Sequence, residues 1–155
     1  MKLATTATQI GLDWDTRTGA VTVPIYQTAT FRHPGLGQST GYDYSRSGNP
    51  TRQALEEGLA RLEGAARAFA YASGMAAITN LLFLFKSGDH LLVTEDLYGG
   101  TYRLFEKIFQ QYGLEFTYVD TSDTAAVRAA LRPTTRRNMS NRGTIRGNSV
   151  SGGTA

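Results

Sequence analysis

The sequence contains no cysteine and only two histidines, which narrows the chemistry that it can carry. Without cysteine there are no disulfides, no thiolate metal ligands and no cysteine nucleophile. His33 and His90 are distant from each other in the chain, so we expect no metal site. Any difficult reaction would therefore require an organic cofactor.

Long apolar runs are also missing from the sequence. No stretch approaches the roughly 20 residues of a membrane-spanning helix, and no basic-then-apolar leader is present. We therefore expect a cytoplasmic protein with no membrane partner. The 155 residues, 41% of them hydrophobic, are enough for one globular unit.

Acidic residues are missing from the C-terminal part of the sequence. Five of the 16 basic side chains and none of the 13 acidic ones follow Leu131, so the net charge of +3 arises in the tail. An arginine-rich tail can bind RNA or DNA, but this one has no interleaved aromatic residues and matches no nucleic-acid-binding module. We expect no nucleic-acid partner.

Helical and extended patterns alternate in the middle of the sequence. Asn49 as N-cap, Pro50 at the first helical position and Gly64 after a leucine stripe predict a helix over 50–63. Three more helices are predicted over 75–85, 102–112 and 123–131, and three strands over 67–71, 90–93 and 114–119. This alternation predicts an α/β fold with a mostly parallel sheet, flanking helices and a site at the strand C-termini.

Several finer expectations accompany this pattern. The 75–85 helix is apolar on nearly all sides toward its end and is expected to be buried, and Asp120 or Ser122 is expected to cap the last helix. Residues 1–20 predict an irregular arm with at most a short helix, and residues 21–31 an edge strand or an extended contact segment.

A candidate binding site lies at the point at which an extended run changes into a helix. The apolar run before Ser73-Gly74 stops there, and a helical pattern starts at once. The backbone N–H groups of Gly74 and Met75, at the positive end of the helix dipole, predict a phosphate site. The alternative is that Ser-Gly serves only to make a tight turn.

Three motifs resemble those of the pyridoxal-phosphate enzymes of cysteine and methionine metabolism, in order and approximate spacing. They are Tyr44-Ser45-Arg46 before Asn49-Pro50-Thr51-Arg52, then Ser73-Gly74-Met75-Ala76-Ala77-Ile78, then Asp96-Leu97-Tyr98-Gly99-Gly100-Thr101. The resemblance covers roughly residues 5–136 and is nearest to the cystathionine γ-synthase/O-acetylhomoserine thiol-lyase group. It implies the large domain of an aspartate-aminotransferase-like fold (fold type I), pyridoxal 5'-phosphate as cofactor, an amino-acid substrate and a homodimer or homotetramer.

The resemblance also implies roles for particular residues. Ser73, Gly74 and Met75 match the turn that holds the cofactor phosphate, and Tyr98 matches the aromatic residue that stacks on the cofactor ring and takes part in proton transfer. Two further residues, Tyr44 and Arg46, match the pair that reaches the cofactor phosphate of the neighbouring subunit. The structural alternatives are a loop tyrosine, a solvated arginine and ordinary core residues.

The sequence departs from the family where the catalytic lysine is expected. The family requires a lysine that holds the cofactor covalently, and Lys2, Lys86 and Lys107 do not lie in its Ser-x-x-Lys-like setting. The aspartate that pairs with the cofactor ring nitrogen and the later substrate-binding arginine are also missing. We expect a truncated domain, by a frameshift or a premature end, and an inactive chain.

These observations predict the domain organisation. Residues 1–49 form an N-terminal arm and an inter-subunit cofactor loop, and residues 50–136 form the front part of the cofactor-binding domain. Residues 137–155 are polar and basic, predict a disordered tail foreign to the family, and supply no strand after the helix that ends near Leu131.

Four functions are compatible with the sequence. The favoured one is a fragment of an enzyme of methionine biosynthesis that replaces the γ-substituent of an O-acyl-homoserine with cysteine or sulfide. An alternative is β- or γ-elimination by a cystathionine or methionine lyase, although Gly100 stands where methionine γ-lyases carry cysteine. The other two are a non-catalytic fragment that associates with a full-length relative, and an arginine-tailed nucleic-acid binder.

Overall fold

The computed structural model describes residues 2–12 and 15–139, and the described chain divides between Ala70 and Tyr71 into two compact units. The first unit contains helix α1 (Leu3–Gln9) and helix α2 (Pro50–Glu63). Helix α2 contacts α1 within this unit, and the domain boundary at residue 49 stays a prediction.

Local signals fix both ends of α2, as predicted. Asn49 Oδ1 accepts a hydrogen bond from the Thr51 amide at 2.9 Å, and Pro50 occupies the first turn, where no amide hydrogen is needed. Gly64 ends the helix with φ of +61°, a left-handed conformation that glycine adopts without steric cost. The predicted bounds of this helix are confirmed.

Residues 21–31 contain no regular strand. Single antiparallel bridges pair Leu12 with Thr22 and Thr30 with Tyr44. The interpretation as an extended contact segment is therefore correct, and the edge-strand alternative is wrong.

The second unit contains a small parallel sheet with helices, which confirms the predicted α/β class. Its elements are α3 (Gly74–Leu82), β1 (His90–Thr94), α4 (Gly99–Lys107), a 3₁₀ turn (Phe109–Tyr112), β2 (Glu115–Val119), α5 (Thr124–Ala129) and β3 (Thr135–Met139). The strand order is β2-β1-β3, with both pairings parallel. Strand β1 is buried along its whole length because it has a neighbour on each side.

Apolar side chains from β1 and the surrounding helices form the core of this unit. Its buried members are Leu82, Leu91, Val93, Phe105, Phe109, Leu114 and Met139. The ring of Phe105 in α4 stacks on that of Phe116 in β2, with centroids 4.6 Å apart, so α4 packs directly on the sheet. No helix in the described part of the chain is long and apolar enough to cross a membrane.

Two predictions about strands are wrong. Residues 67–71 form no strand, because they join no backbone ladder among the described residues; the Ala70 amide instead donates to Glu56 Oε1 at 2.9 Å. Conversely, a strand does follow α5: β3 lies beside β1, and Met139 is buried. Pairing with a buried strand supplies hydrogen bonds that a polar composition does not reveal. Residues 137–139 thus belong to β3, and the rest of the predicted tail lies outside the described residues.

Three helix ends also differ from prediction. Helix α3 ends at Leu82 rather than Phe85, and Phe83 and Leu84 are 72% and 78% exposed, so the expected burial of this end is wrong. Helix α4 gives way to the 3₁₀ turn after Lys107. The cap of α5 is neither Asp120 nor Ser122.

Asp123 caps α5. Its carboxylate accepts from the amides of Ala125 and Ala126 at 2.8 and 3.1 Å, which satisfies two amides of the first turn. Asp120 instead accepts from the amide and the hydroxyl of Ser122 and closes its own turn. Both residues that the sequence proposed as the cap are therefore occupied with each other.

Candidate functional site

The start of α3 is the candidate site for an anion. Ser73 is the N-cap, and its hydroxyl accepts from the Ala76 amide at 3.1 Å. Among the described residues no acceptor contacts the amides of Gly74 and Met75, which lie one and two residues after the cap. A β-carbon on Gly74 would meet nothing within 4 Å, so the side-chain position of this residue is open. Two free amides at the positive end of a nine-residue helix suit a phosphate.

The start of α4 presents an exposed aromatic ring. Tyr98 is the N-cap residue of this helix, and its side chain is 64% exposed and makes no capping hydrogen bond. Gly100, two residues later, leaves room for the ring: a β-carbon there would lie 2.5 Å from Tyr98 Cε1. Tyr98 thus offers a flat, accessible face of the kind that stacks on a heterocycle.

A contact between Thr101 and Met75 joins these two helix starts. The Thr101 hydroxyl lies 3.6 Å from Met75 Sδ, and Thr101 is buried. Because α4 follows the carboxyl end of β1 after four residues, both helix starts lie at that end of the sheet. The structure therefore brings Ser73, Gly74 and Met75 together with the helix that carries Tyr98.

Sequence reasoning missed the role of Thr101 in this arrangement. Thr101 was visible only as the end of a motif, and nothing in the sequence pairs it with Met75. A contact between two helices depends on the packing of both against the sheet, which no local pattern encodes.

Tyr44 and Arg46 lie together on the surface of the first unit. The Arg46 guanidinium carbon is 4.9 Å from the centroid of the Tyr44 ring, within the range of a cation–π contact. Both residues are exposed. A phenol and a guanidinium side by side are suited to a phosphate dianion, which accepts several hydrogen bonds at once.

An ion pair of the second unit, between Asp89 and Arg136, lies at the opposite, amino end of β1. Asp89 accepts from the Lys86 amide at 3.0 Å and from Arg136 Nε at 2.9 Å, and these two hydrogen bonds lower the pKa of its carboxyl group. Burial lowers the pKa of the adjacent His90. The length of β1, at about 3.3 Å per residue, separates these groups from the helix starts. They therefore support the sheet and do not take part in the candidate site.

A groove of about 440 Å³ lies in the first unit, between α2 and residues 66–69. Polar side chains that include Arg52 and Glu56 line part of it. Neither Tyr44 nor Arg46 is among the lining residues, so this groove is separate from the predicted cofactor residues.

The residues at the start of α3 and α4 fit pyridoxal phosphate. The amides of Gly74 and Met75 supply two donors for its phosphate, and Tyr98 supplies an exposed ring for its heterocycle. The described residues include Lys2, Lys86 and Lys107, but none of them is at these helix starts in the second unit: Lys86 follows the end of α3, and Lys107 is the last residue of α4.

Known proteins resemble the chain over most of its length. Residues 4–138 match the model of the family described as Cys/Met metabolism PLP-dependent enzyme. A probable cystathionine gamma-synthase of Herpetosiphon aurantiacus is 51% identical over 86% of this chain and 42% of its own length. A cystathionine beta-lyase of Lactococcus lactis is 49% identical over 81% of this chain and 33% of its own length.

A solved structure gives the same result for the fold. The cystathionine gamma-lyase of Lactobacillus plantarum, complexed with L-serine, superposes with a TM-score of 0.81 at 48% identity, over 90% of this chain and 36% of that one. This similarity confirms the predicted fold type I, and the chain spans about a third to two fifths of the length of these relatives. The chain therefore belongs to the family of pyridoxal-phosphate-dependent enzymes of cysteine and methionine metabolism.

Proposed function

We propose that an intact enzyme containing this chain replaces the γ-substituent of an O-acyl-homoserine with cysteine or sulfide. The observation that carries the proposal is the contact between Met75 and Thr101, which joins the start of α3 to the start of α4, where Tyr98 is exposed. A phosphate site alone would suit many ligands. A phosphate site next to an exposed ring suits a phosphorylated heterocycle, and the family uses pyridoxal phosphate.

The candidate site residues at the starts of α3 and α4 have distinct roles in the proposed reaction. The amides of Gly74 and Met75 bind the phosphate, and the Ser73 hydroxyl holds the turn in place through the Ala76 amide. Tyr98 orients the cofactor ring by stacking and carries a proton at its phenol oxygen. When bound, pyridoxal phosphate supplies an electron sink for the loss of protons beside the substrate amine.

We further propose that Tyr44 and Arg46 contact the cofactor phosphate of a second subunit in a cytoplasmic homo-oligomer. Their exposure on the first unit and the stacking of the guanidinium on the ring support this arrangement. A second candidate reaction is the cleavage of cystathionine, because relatives of this chain carry the names gamma-lyase and beta-lyase.

The phosphate site can be tested by removing one backbone N–H donor, that of Gly74. Pro suits the first position of a helix, and Ser73 has the extended conformation that precedes proline, so Gly74→Pro removes one N–H with little strain. Gly74→Ala keeps the N–H and enters open space, which makes it the matched control. Equilibrium dialysis should show Gly74→Ala binding pyridoxal phosphate like the wild type and Gly74→Pro binding about 10-fold or more weakly.

Pyridoxal without the phosphate serves as a second control. Its weaker binding should be the same in the wild type, Gly74→Ala and Gly74→Pro, because the lost amide contacts only the phosphate. Equal affinity of all three proteins for pyridoxal phosphate would show that the phosphate binds elsewhere.

The reaction itself requires a complete enzyme. Residues 4–138 can replace the matching part of the Herpetosiphon aurantiacus relative, which is 51% identical. We expect this chimera to form cystathionine from O-acetylhomoserine and cysteine faster than it cleaves cystathionine. Faster cleavage would favour the lyase alternative.

A further inference from the structure

We propose that Arg52 is a positioning residue for the cofactor loop, defined here as residues 43–48, which carries Tyr44 and Arg46. The inference deepens the proposed function, since it concerns how this chain presents those two side chains. Arg52 lies in the first turn of α2, beyond the loop in sequence, and was predicted only as part of a motif at a helix start.

The guanidinium of Arg52 binds three consecutive backbone carbonyls of the cofactor loop. Nη1 donates to the carbonyl of Ser45 at 3.0 Å, and Nη2 donates to those of Ser47 at 3.1 Å and Arg46 at 3.4 Å. Only the planar fork of arginine presents several donors in one fixed plane. A lysine ammonium is a single point and cannot reproduce this set of contacts.

Arg52 is itself held by a neighbour on α2. Its Nε lies 3.5 Å from Glu56 Oε1, one helical turn further on, and both side chains are partly buried. The same oxygen of Glu56 accepts from the Ala70 amide at 2.9 Å, which fixes the carboxylate. The guanidinium therefore has a defined orientation before it contacts the loop.

Contacts with residues 29 and 30 hold the first half of the cofactor loop, whereas the second half is bonded within the loop, where the amides of Ser47 and Gly48 donate to the Tyr44 carbonyl. The Ser45 amide donates to the Ala29 carbonyl at 2.8 Å, and Tyr44 pairs with Thr30 in an antiparallel bridge. Within the described part of the chain, Arg52 is the donor that reaches the carbonyls of Arg46 and Ser47. The backbone position of Arg46 relative to α2 thus depends on Arg52.

This dependence has a consequence for ligand binding. Arg46 lies over the ring of Tyr44 at 4.9 Å, so the two side chains form one exposed surface. If Arg52 is removed, the carbonyl groups on both sides of the Arg46 side chain lose their donor, and Arg46 samples more positions. Arg52 therefore affects phosphate binding through Arg46 and does not touch the phosphate.

Amide hydrogen exchange measured by NMR tests the structural part of the proposal. The amides of Ser47 and Gly48 donate to the Tyr44 carbonyl at 3.0 and 2.9 Å and report on the closed loop. We expect both Arg52→Ala and Arg52→Lys to speed their exchange about 10-fold, with no change at Ala77 in the second unit. Unchanged exchange at Ser47 and Gly48 would overturn the proposal.

A double-mutant cycle tests the functional part. We expect Arg46→Ala to raise the dissociation constant for pyridoxal phosphate about 10-fold, and Arg52→Ala and Arg52→Lys somewhat less. The double variant Arg46→Ala/Arg52→Ala should bind like Arg46→Ala alone, because Arg52 acts through Arg46. Multiplicative losses would overturn the positioning role. If the wild-type chain binds no pyridoxal phosphate, the proposed function fails, and the exchange rates alone decide on Arg52.

Discussion

The ring of Tyr98 lies against the backbone of Gly100, at the start of α4. A β-carbon on residue 100 would be 2.5 Å from Cε1 of the ring and 3.1 Å from Cδ1, closer than non-bonded atoms approach. Tyr98 is 64% exposed, so the ring can move away while the helix stays intact. Glycine at this position therefore sets where the ring lies.

We predict that Gly100→Ala weakens the binding of pyridoxal phosphate without unfolding the chain. The displaced Tyr98 ring loses its stacking position, and such stacking is worth about 0.5–1.5 kcal/mol, or roughly 2- to 10-fold in affinity. Equilibrium dialysis measures the affinity, and thermal unfolding followed by circular dichroism measures the stability. The melting temperature should stay close to that of the wild type.

Gly99→Ala is the matched control for this prediction. A β-carbon on Gly99 would have Arg103 Nη1 as its nearest neighbour at 3.9 Å, an ordinary contact. We expect this variant to bind like the wild type. If both alanine variants lose affinity equally, the effect arises from the helix start in general and not from the Tyr98 ring.

Features set by neighbouring residues could be predicted from the sequence. The ends of α2 depend on the side chain of Asn49, the fixed φ of Pro50 and the positive φ of Gly64, all within the helix or next to it. The start of α3 is equally local, since Ser73 caps a helix that begins one residue later. The candidate phosphate turn could therefore be located without a structure.

Features that depend on distant residues could not be predicted. Strand β3 forms because β1 offers it an open edge about 40 residues earlier, and the run 67–71 is no strand because it joins no such edge among the described residues. Likewise, the contact of Thr101 with Met75 and that of Arg52 with the loop carbonyls require the folded backbone. The hydrophobic pattern of the sequence did not show that the starts of α3 and α4 belong to one site. Only the resemblance to a family indicated this.

His90 is a buried histidine whose two ring nitrogens both contact threonine hydroxyls. Nδ1 lies 2.7 Å from Thr135 Oγ1 in β3, and Nε2 lies 2.8 Å from Thr117 Oγ1 in β2. Burial, and then the charge of Arg132, lower the pKa of His90, and Glu115 opposes them. The ring thus connects the three strands in its neutral form.

We predict that the chain loses stability as the pH falls below about 6.5, the ordinary pKa of histidine. In that range the unfolded chain takes up a proton that the folded His90 resists, so the unfolded state binds more protons and the free energy of unfolding decreases. Above that pH both states are neutral, and the contribution of His90 is constant. Urea unfolding between pH 7.5 and 5.5 should show this slope.

Two variants separate His90 from other titrating groups. His90→Asn should flatten the slope, whereas His33→Asn should keep it, because the other histidine is exposed in the first unit. An NMR titration of the His90 ring gives the same information if His90→Asn is too unstable. A ring that titrates at or above the ordinary value would contradict the prediction.

Gly58 allows the close approach of α1 and α2. It is buried inside α2, and a β-carbon there would overlap Ile10 Cγ2 and lie 3.1 Å from Ile10 Cγ1. Alanine normally stabilises a helix interior by about 1 kcal/mol relative to glycine. We predict the opposite here: Gly58→Ala should lower the free energy of unfolding, because overpacking costs about 1–3 kcal/mol.

The same substitution in the Ile10→Ala variant tests whether the clash with Ile10 causes the destabilisation. In Ile10→Ala the obstructing side chain is gone, so the same Gly58→Ala change should become stabilising through helix propensity alone. Urea unfolding of the four proteins gives both differences. Stabilisation by Gly58→Ala in the wild-type background would mean that Ile10 moves aside at no cost.

We predict that the 155-residue chain alone does not catalyse γ-replacement. Lys107 ends α4, about 12 Å along the axis from the start of that helix at 1.5 Å per residue, and Lys86 lies four residues beyond the end of α3. Neither is placed to hold the cofactor covalently at the helix starts. Enzymes lower barriers by about 8–23 kcal/mol, and most of that reduction requires the cofactor to be attached and activated.

Two measurements test this inactivity. With O-acetylhomoserine, cysteine and pyridoxal phosphate, the chain should form no cystathionine above the rate of the free cofactor, whereas the chimera with the Herpetosiphon aurantiacus relative should be active. Borohydride reduction followed by mass spectrometry should find no stoichiometric label on Lys86 or Lys107. Turnover by the chain alone, together with a full label on one of these lysines, would show that a lysine reaches the site by a movement of α3 or α4, because Lys107 ends α4 and Lys86 follows the end of α3.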